Sequence, residues 1–442
     1  MSLQLIMGIV MLISFAIFAY YVAKGGSYLM AAFVMAMFWS VLAIIGGKLT
    51  FSGLLSDVMQ TPPTAMGSAI VVILFGSWFG RILLDTGIAA SLIRKAVELG
   101  GDHATLTAAL LCVVTTAIFT GAQGTGLYIA MAVIVLPILF SLGIPHVLAH
   151  ASYMMAIAAG MFINRVQYAS TLGSVNASLG NNNQVVIDST MTKFFTVCLV
   201  VLLLAVITMV VITMKKNSNL RKIKNWAMPA AEEIPKVPGI ALLVPLLPVV
   251  VIIVLNWPVI PTLVFTSLLA LLLCGKIKTF NGTAQIISQT FADGIVDVQN
   301  VIGFLFFSVM FNKASGVCAP YLSALLGGII PTSAIGLMIM FAVCAPLGLF
   351  RGPFTVFGSG VLMLNILLAL GVPLQLSFPM IYVPTLIMNQ GMCPSQSNVI
   401  WGLSYSKVGI KEHLRQTFPF AWAACIVCAA IGYFMVLRPV LG

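Results

Sequence analysis

The sequence predicts an all-helical protein that crosses a membrane many times, and three observations lead to this fold class. Hydrophobic residues make up 61% of the 442 residues and charged residues only 7%, whereas a soluble chain needs roughly a quarter charged residues to cover its surface. The apolar runs are long and do not alternate with polar residues, so they fit helices and not the strands of a barrel. The two halves of the chain also share short motifs in the same order.

Apolar stretches that are suited to crossing a bilayer follow one another along the chain. They cover residues 4–23, 27–46, 67–84, 147–163, 192–214, 239–256, 260–274, 295–311, 375–403 and 418–437. Two further apolar regions, 104–142 and 332–370, are each interrupted by glycine and polar residues. We therefore expect about ten to twelve passes. Residues 1–26 form an extra first span, residues 27–214 a first repeat with its following span, and residues 239–442 a second repeat with flanking spans.

Basic residues outnumber acidic ones, which gives a formal net charge of +11. They lie in loops beside apolar spans, as the positive-inside rule predicts, and this distribution argues against nucleic-acid binding. The largest hydrophilic segment, residues 215–238, is predicted to be a cytoplasmic loop because it holds six basic residues: Lys215, Lys216, Arg221, Lys222, Lys224 and Lys236. With that loop inside, both termini are predicted to lie outside.

The sequence has no signature of an enzyme. It contains no H-E-x-x-H, P-loop or G-x-S-x-G motif, so neither catalysis nor an organic cofactor is expected. The eight cysteines are scattered, mostly within apolar runs. They are interpreted as small packing residues and not as a metal or redox site.

Four short motifs recur in the second half at an offset between 227 and 231 residues. GKLTFSG at 47–53 matches GKIKTFNG at 275–282, and Gly100-Gly101 matches Gly327-Gly328. FTG at 119–121 matches FRG at 350–352, and LGIP at 142–145 matches LGVP at 370–373. Five spans separate residue 27 from its counterpart near 258, so the second copy enters the membrane from the opposite side. An inverted repeat is typical of secondary transporters, although some channels also have one.

Two pairs of helix interruptions are predicted from the repeat. The regions 104–142 and 332–370 are interpreted as re-entrant hairpins that turn at Thr120–Gly126 and Phe350–Thr355. The alternative is a pair of ordinary spans joined by a polar turn at the surface. The polar stretches 160–178 and 387–401 are interpreted as spans unwound in the middle, because such polar clusters are costly in lipid unless they line a cavity.

Substrate-binding candidates come from these four interruptions, where glycines allow close approach and helix N-termini attract anions. The first half contributes Thr120, Gly121, Gln123, Gly124, Thr125, Arg165, Gln167, Ser170 and Thr171. The second half contributes Arg351, Gly352, Thr355, Ser395, Gln396, Ser397 and Asn398. Candidates for ion coupling are Asp85, Asn164 and Asn389. Asp85 could equally cap the next helix.

Arg165 and Arg351 are the ionised residues nearest the interruptions, and neither has an acidic neighbour in sequence. An arginine at this depth costs about 2.5–3.5 kcal/mol on insertion scales and needs a partner. A carboxylate held by two hydrogen bonds is one partner. A salt bridge or a bond to helix-end carbonyls is the alternative.

The stretch GSWFGRILLDTGIAASLI at 76–93 resembles a motif of the gluconate permease family. The helix, hairpin and broken span that follow are similar to the layout of the wider ion transporter superfamily, which includes citrate carriers. The resemblance implies a homodimer with a scaffold domain and a mobile transport domain that moves like an elevator, and transport of organic anions with protons or sodium. The Ser-Asn-Thr signature of the dicarboxylate branch is absent from both tips, which read TGAQGTG and FRGPFT.

The sequence therefore predicts an ion-coupled symporter for a small organic anion, such as a sugar acid or carboxylate, that works by alternating access. Its expected location is the bacterial cytoplasmic (inner) membrane. Two alternatives remain at this point. A cation/proton antiporter of the same superfamily would need buried acidic pairs, and a channel would share the inverted repeat.

Overall fold

The computed structural model describes residues 3–24, 26–101, 103–179, 184–216 and 237–441. Most of the predicted cytoplasmic loop at 215–238 lies outside these residues. The described chain is helical and contains no strand, which confirms the predicted all-helical membrane fold.

The first half contains an extra helix followed by a span, a long bent helix, a hairpin and a broken span. The helices are α1 (Leu3–Ala23), α2 (Tyr28–Ile45), α3 (Phe51–Asp85), α4 (Ile88–Gly100), α5 (Ala104–Gly121), α6 (Thr125–Ser141), α7 (His146–Met161), α8 (Arg165–Leu179) and α9 (Ser189–Lys216).

The second half repeats this order. Its helices are α10 (Gly239–Leu255), α11 (Val259–Leu273), α12 (Phe280–Leu326), α13 (Ala334–Val343), α14 (Gly360–Ala369), α15 (Leu374–Pro384), α16 (Ser397–Ser406) and α17 (Ile410–Leu441). A 3-10 helix, Ala345–Arg351, follows α13, and a π-helical turn, Thr385–Gln390, follows α15.

Seven of the described helices are long and apolar enough to cross a membrane, and nine spans result if each strongly bent pair counts as one. The bent pairs are α7 with α8, at 75°, and α13 with the following 3-10 helix, at 53°. Two span predictions were too short. Helix α3 begins 16 residues before the predicted start at 67, and α12 runs continuously for 47 residues, because no proline or glycine pair interrupts its first half.

Two apolar clusters hold the helices together. The smaller one joins α1, α2 and the C-terminal half of α12, where Trp39, Phe311 and Tyr321 are buried. The larger one contains the hairpin and broken-span helices of both halves. Helix α12 packs against α2, α3, α8 and α14, so it connects the two clusters and places its middle beside the four interruptions.

Candidate functional site

Both hairpin tips and both broken spans line one cavity of about 330 Å³. Ten predicted site residues lie in its wall, five from each half: Gln123, Gly124, Thr125, Gln167, Ser170, Arg351, Ser395, Gln396, Ser397 and Asn398. The structure therefore brings together segments that are more than 200 residues apart in sequence.

The first hairpin turns at residues 122–124, between α5 and α6. Gly124 has φ +135°, a conformation that L side chains rarely adopt. At Gly121 an added Cβ would lie 2.2 Å from the carbonyl oxygen of Pro245, so α5 ends in close contact with α10. The tip is thus a tight backbone turn, and α6 begins at Thr125 in the cavity wall.

The first broken span bends at residues 162–164, and Asn164 holds the bend. Its Nδ2 donates to the carbonyls of Phe119 and Ala122 at 2.8 and 2.9 Å. Its Oδ1 accepts from the backbone N–H groups of Val166 and Gln167 at 2.8 and 3.0 Å, which caps α8. Asn164 is fully buried, and its side chain is occupied by these four bonds and does not face the cavity.

The interruption predicted within 160–178 is short and lies near the start of this stretch. Residues 165–179 form the regular helix α8, and only the three residues before it leave the helical conformation. A polar helix can lie in this position because its polar face, with Gln167 and Ser170, lines the cavity.

The second hairpin turns through a wider irregular segment, residues 352–359. Phe350 and Arg351 both have positive φ, +52° and +63°, which costs of order 1–3 kcal/mol per residue for non-glycine residues. The Phe350 N–H donates to the Cys393 sulfur at 3.0 Å. The tip is consequently fixed to the second broken span, and this strained backbone directs Arg351 into the cavity wall.

Arg351 is buried, and its partners are neutral. Its Nη1 donates to the Phe357 carbonyl at 2.9 Å, and Nη2 donates to Oε1 of Gln396 at 3.3 Å. The guanidinium carbon lies 4.5 Å from the ring centre of Phe304 and 5.3 Å from that of Tyr28. Its Nε has no hydrogen-bond partner, and within the described residues no carboxylate forms an ion pair with it.

The second broken span leaves the helical conformation at residues 391–396, between the π-helical turn and α16, within the predicted range. Gln396 accepts from Arg351 and donates to Oδ1 of Asn389. Asn389 is buried behind the cavity wall, where its Nδ2 has no partner. Asn389 thus supports the residues that face the cavity.

The two hairpin tips are fixed to the two broken spans in corresponding ways. Nε2 of Gln123 donates to Oε1 of Gln167 at 3.2 Å, and Nη2 of Arg351 contacts the carbonyl of Ser395 at 3.5 Å. At the repeat offset of 228 residues, Gln123 corresponds to Arg351 and Gln167 to Ser395. The site is pseudosymmetric in position, but one half carries a neutral amide where the other carries a cation.

The cavity wall has a positive electrostatic character. Among its described residues Arg351 is the one with a formal charge. Helices α6 and α16 begin at the wall, and neither N-terminus has a side-chain cap, so their free N–H groups and dipoles favour an anion. Asp297 lies against the first turn of α6, since an added Cβ at Gly126 would be 2.1 Å from its Oδ1. It is paired with Arg81 at 3.2 Å.

Several predicted residues lie outside the cavity wall. Arg165 stacks on Tyr168 at 5.1 Å. Thr120 and Thr171 donate to carbonyls of their own helices, those of Ala117 and Gln167. Gly121, Gly352 and Thr355 shape the two tips without lining the cavity, and Asp85 is exposed at the end of α3. Within the described residues, no three potential metal-ligating side chains come together, so no metal centre is assigned.

Sequence reasoning missed the contribution of α2 and α12. Tyr28 begins α2, and Asn300 and Phe304 lie one turn apart on α12, all in the cavity wall. The polar residues Asp293, Asp297 and Asn300 recur at helical spacing inside α12, and this was the available signal. An apolar span with one polar face is expected to line a cavity.

The fold is similar to that of a known transporter. It superposes on the crystal structure of the YdaH transporter from Alcanivorax borkumensis, described as having an unusual topology, with a TM-score of 0.60 over 88% of this chain and 89% of that one, at 13% sequence identity. No protein-family model and no curated protein sequence matches the chain. The similarity shows that the two chains share a polytopic helical fold. The resemblance to the gluconate permease branch stays a prediction.

Proposed function

We propose that this protein is an ion-coupled secondary transporter that binds a small organic anion at the cavity and moves it by alternating access. The observation that carries the proposal is Arg351. It is a buried cation in the cavity wall that has no carboxylate partner within the described part of the chain.

A buried arginine without a counter-ion is costly, and the surroundings offset this cost only in part. Phe304 and Tyr28 supply cation–π contacts worth about 0.5–2 kcal/mol each, and neutral oxygens accept from both Nη atoms. A substrate carboxylate would complete the neutralisation with a charge-assisted bond. The uncapped N-termini of α6 and α16 add to the attraction for an anion.

The shape and polarity of the cavity favour a small monoanion. Its volume of about 330 Å³ lies at the lower end of the range for small-molecule sites, roughly 300–1,000 Å³. Gln123 and Gln167 form the corresponding contact in the other half, where Oε1 of Gln123 is buried without a partner. A substrate with one carboxylate and a neutral hydrogen-bond donor at its other end would match both halves, as a sugar acid does.

The remaining features of the proposal come from the resemblance noted above. They are symport with protons or sodium, an elevator motion of the hairpin and broken-span helices, a homodimer, and a place in the bacterial inner membrane.

The experiment begins with a thermal-shift screen of purified protein against sugar acids, di- and tricarboxylates and amino acids, with and without sodium. An acid at a hundred times its Kd is expected to stabilise the protein by about 2.7 kcal/mol. Uptake of the stabilising acid into proteoliposomes is then measured for the wild type and for Arg351→Gln. Loss of a charge-assisted bond of about 1.5–3 kcal/mol is expected to raise KM about ten- to a hundredfold.

Two further variants make the result specific. Arg351→Lys keeps the charge but loses the two-pronged geometry and is expected to have an intermediate KM. Arg415→Gln removes an exposed cation from α17 and is expected to leave KM unchanged. An unchanged KM in inserted, folded Arg351→Gln would contradict the proposal. Flux that does not saturate would indicate a channel, and stabilisation by cations alone would indicate an antiporter.

A further inference from the structure

Two histidines that sequence reasoning did not assign to a site form a buried pair. His150 lies in α7 and His413 in the first turn of α17, and both are fully buried. Their Nδ1 atoms are 3.2 Å apart, and their ring centres are 4.7 Å apart. The structure places His150 inside the bundle with a partner 263 residues away in sequence.

The hydrogen bonds around the pair assign its protons. Nε2 of His413 lies 3.2 Å from the carbonyl oxygen of Met392, which can only accept, so this nitrogen carries a hydrogen. A neutral His413 then has a lone pair on Nδ1, and Nδ1 of His150 must donate to it. A neutral His150 is left with a lone pair on Nε2, which is buried and forms no hydrogen bond with any residue that the structure describes.

We infer that the His150–His413 pair is a proton-binding site, which takes up one proton on Nε2 of His150. Protonation at this atom breaks neither existing hydrogen bond, since the lone pair there is unused. The proton comes from water, and the pair changes from neutral to a single positive charge shared across the Nδ1–H···Nδ1 bond. The proposed transport function would receive its coupling ion here, and the inference rests on that function for this role.

The surroundings of Nε2 are built closely around the ring. Gly402 in α16 faces it, and an added Cβ there would lie 2.5 Å from Nε2. The carbonyl of Val399 also faces the His150 ring. One turn earlier in α7, His146 contacts the Ser406 carbonyl at 3.0 Å. The C-terminal end of α16 therefore lies beside His146, and its first and middle turns lie beside His150.

No other charge competes for this role near the pair. Within the described residues, no titratable side chain other than the two histidines themselves acts on the charge of either ring. Helix α5 brings the Cys112 thiol near the Ser152 carbonyl, at 4.0 Å, on an adjacent turn. The charged neighbours of His413 in sequence, Glu412 and Arg415, are exposed. No fixed cation near the pair would therefore oppose proton uptake by repulsion, and no fixed carboxylate would favour it by attraction, among the residues that the structure describes.

The pair is connected to the substrate cavity through the broken span. Met392 belongs to the non-helical segment 391–396, and Ser395 and Gln396 in that segment line the cavity and contact Arg351. A positive charge on the pair strengthens the hydrogen bond from His413 to Met392, because a charged donor binds a carbonyl more tightly. Proton binding and anion binding would then stabilise the same arrangement of this segment, which is the requirement for coupling between the two sites.

The test uses the purified full chain labelled with ¹⁵N-histidine. The sequence has four histidines, so single substitutions assign every ring signal. Burial opposes the charged form of both rings, so the titration is followed from about pH 8 down to about pH 3. Within that range, the chemical shift of one ring nitrogen of the pair is expected to change from that of a lone-pair nitrogen to that of an N–H nitrogen. Hydrogen exchange of residues 391–396, corrected for the intrinsic pH dependence, is expected to slow by about tenfold over the same range.

Control variants separate the pair from general acid effects. His150→Gln and His413→Gln are expected to remove the slowing of exchange, while His103→Gln, at an exposed position before α5, retains it. The inference would be overturned if all four ring nitrogens of the pair kept their ¹⁵N chemical shifts throughout this pH range in the folded wild type. This measurement remains valid even if a variant does not fold. If the pair titrated but the protein transported no organic acid, the result would support the proton-binding site and contradict the proposed transport function.

Discussion

Replacing Asn164 by alanine is expected to loosen the junction between the first hairpin and the first broken span. The side chain makes four buried hydrogen bonds, two to carbonyls at the end of α5 and two to N–H groups at the start of α8. The Gln123–Gln167 contact also joins the hairpin to the broken span, but it supplies one hydrogen bond where Asn164 supplies four. The 75° bend between α7 and α8 therefore depends on this residue.

The size of the effect follows from the groups that lose their partners. Loss of an N-cap costs about 0.5–2 kcal/mol, and a buried carbonyl left without a donor costs about 1–3 kcal/mol. Because the two carbonyls are close together and relax in part, a total of about 3 kcal/mol is expected. Asn164→Ser keeps an N-cap oxygen but cannot reach the α5 carbonyls, so it is expected to restore only the capping part, about 1 kcal/mol.

The assay is thermal unfolding in detergent, combined with hydrogen exchange of residues 119–124 and 162–168. Both variants are expected to unfold at lower temperature than the wild type, with alanine lower than serine, and exchange is expected to rise in both segments. An alanine variant as stable as the wild type would refute the reasoning. If the alanine variant had normal stability but its transport no longer depended on sodium or protons, Asn164 would be assigned to ion binding, as first predicted from the sequence.

Gly160→Ala is expected to lower stability by about 1–3 kcal/mol, because the added Cβ would lie 2.4 Å from the Thr116 carbonyl oxygen where α7 crosses α5. Gly67→Ala is the matched control for thermal unfolding, since nothing lies within 4 Å of its Cβ, and a similar loss there would contradict the close-packing explanation. Phe304→Leu is expected to raise the KM of uptake about threefold, because it removes the nearer aromatic ring beside Arg351. An unchanged KM would show that this ring does not orient the guanidinium.

Much of the fold could be predicted because the relevant signals are local. The apolar stretches marked the positions of most helices, and glycine with polar residues marked both hairpin tips. Helices α3 and α12 were predicted too short, because polar residues at their ends resembled loops. Several of these polar residues, among them Asp57, Gln60 and Gln285, are exposed in the structure, so the length of an apolar run does not mark where such a helix begins.

The site was predicted in part for the same reason. Gln123, Gln167, Arg351 and Gln396 lie in the cavity wall because each stands at a helix interruption, which sequence can mark. Arg165 stands at an interruption too, yet it stacks on Tyr168 outside the wall. Which way a side chain turns at a bend depends on the packing of neighbouring helices, and this information is not local.

The sequence by itself determined the membrane class, the order of the helices and the two pairs of interruptions. Hydropathy and glycine content are local signals, and the repeat offset can be read from the sequence without knowledge of the packing. Only the tertiary structure decided which polar groups satisfy one another and which remain free. Asn164 was occupied as a cap, Arg351 was left without a carboxylate, and His150 gained His413. In lipid every polar group needs a partner, and these partners come from helices distant in sequence.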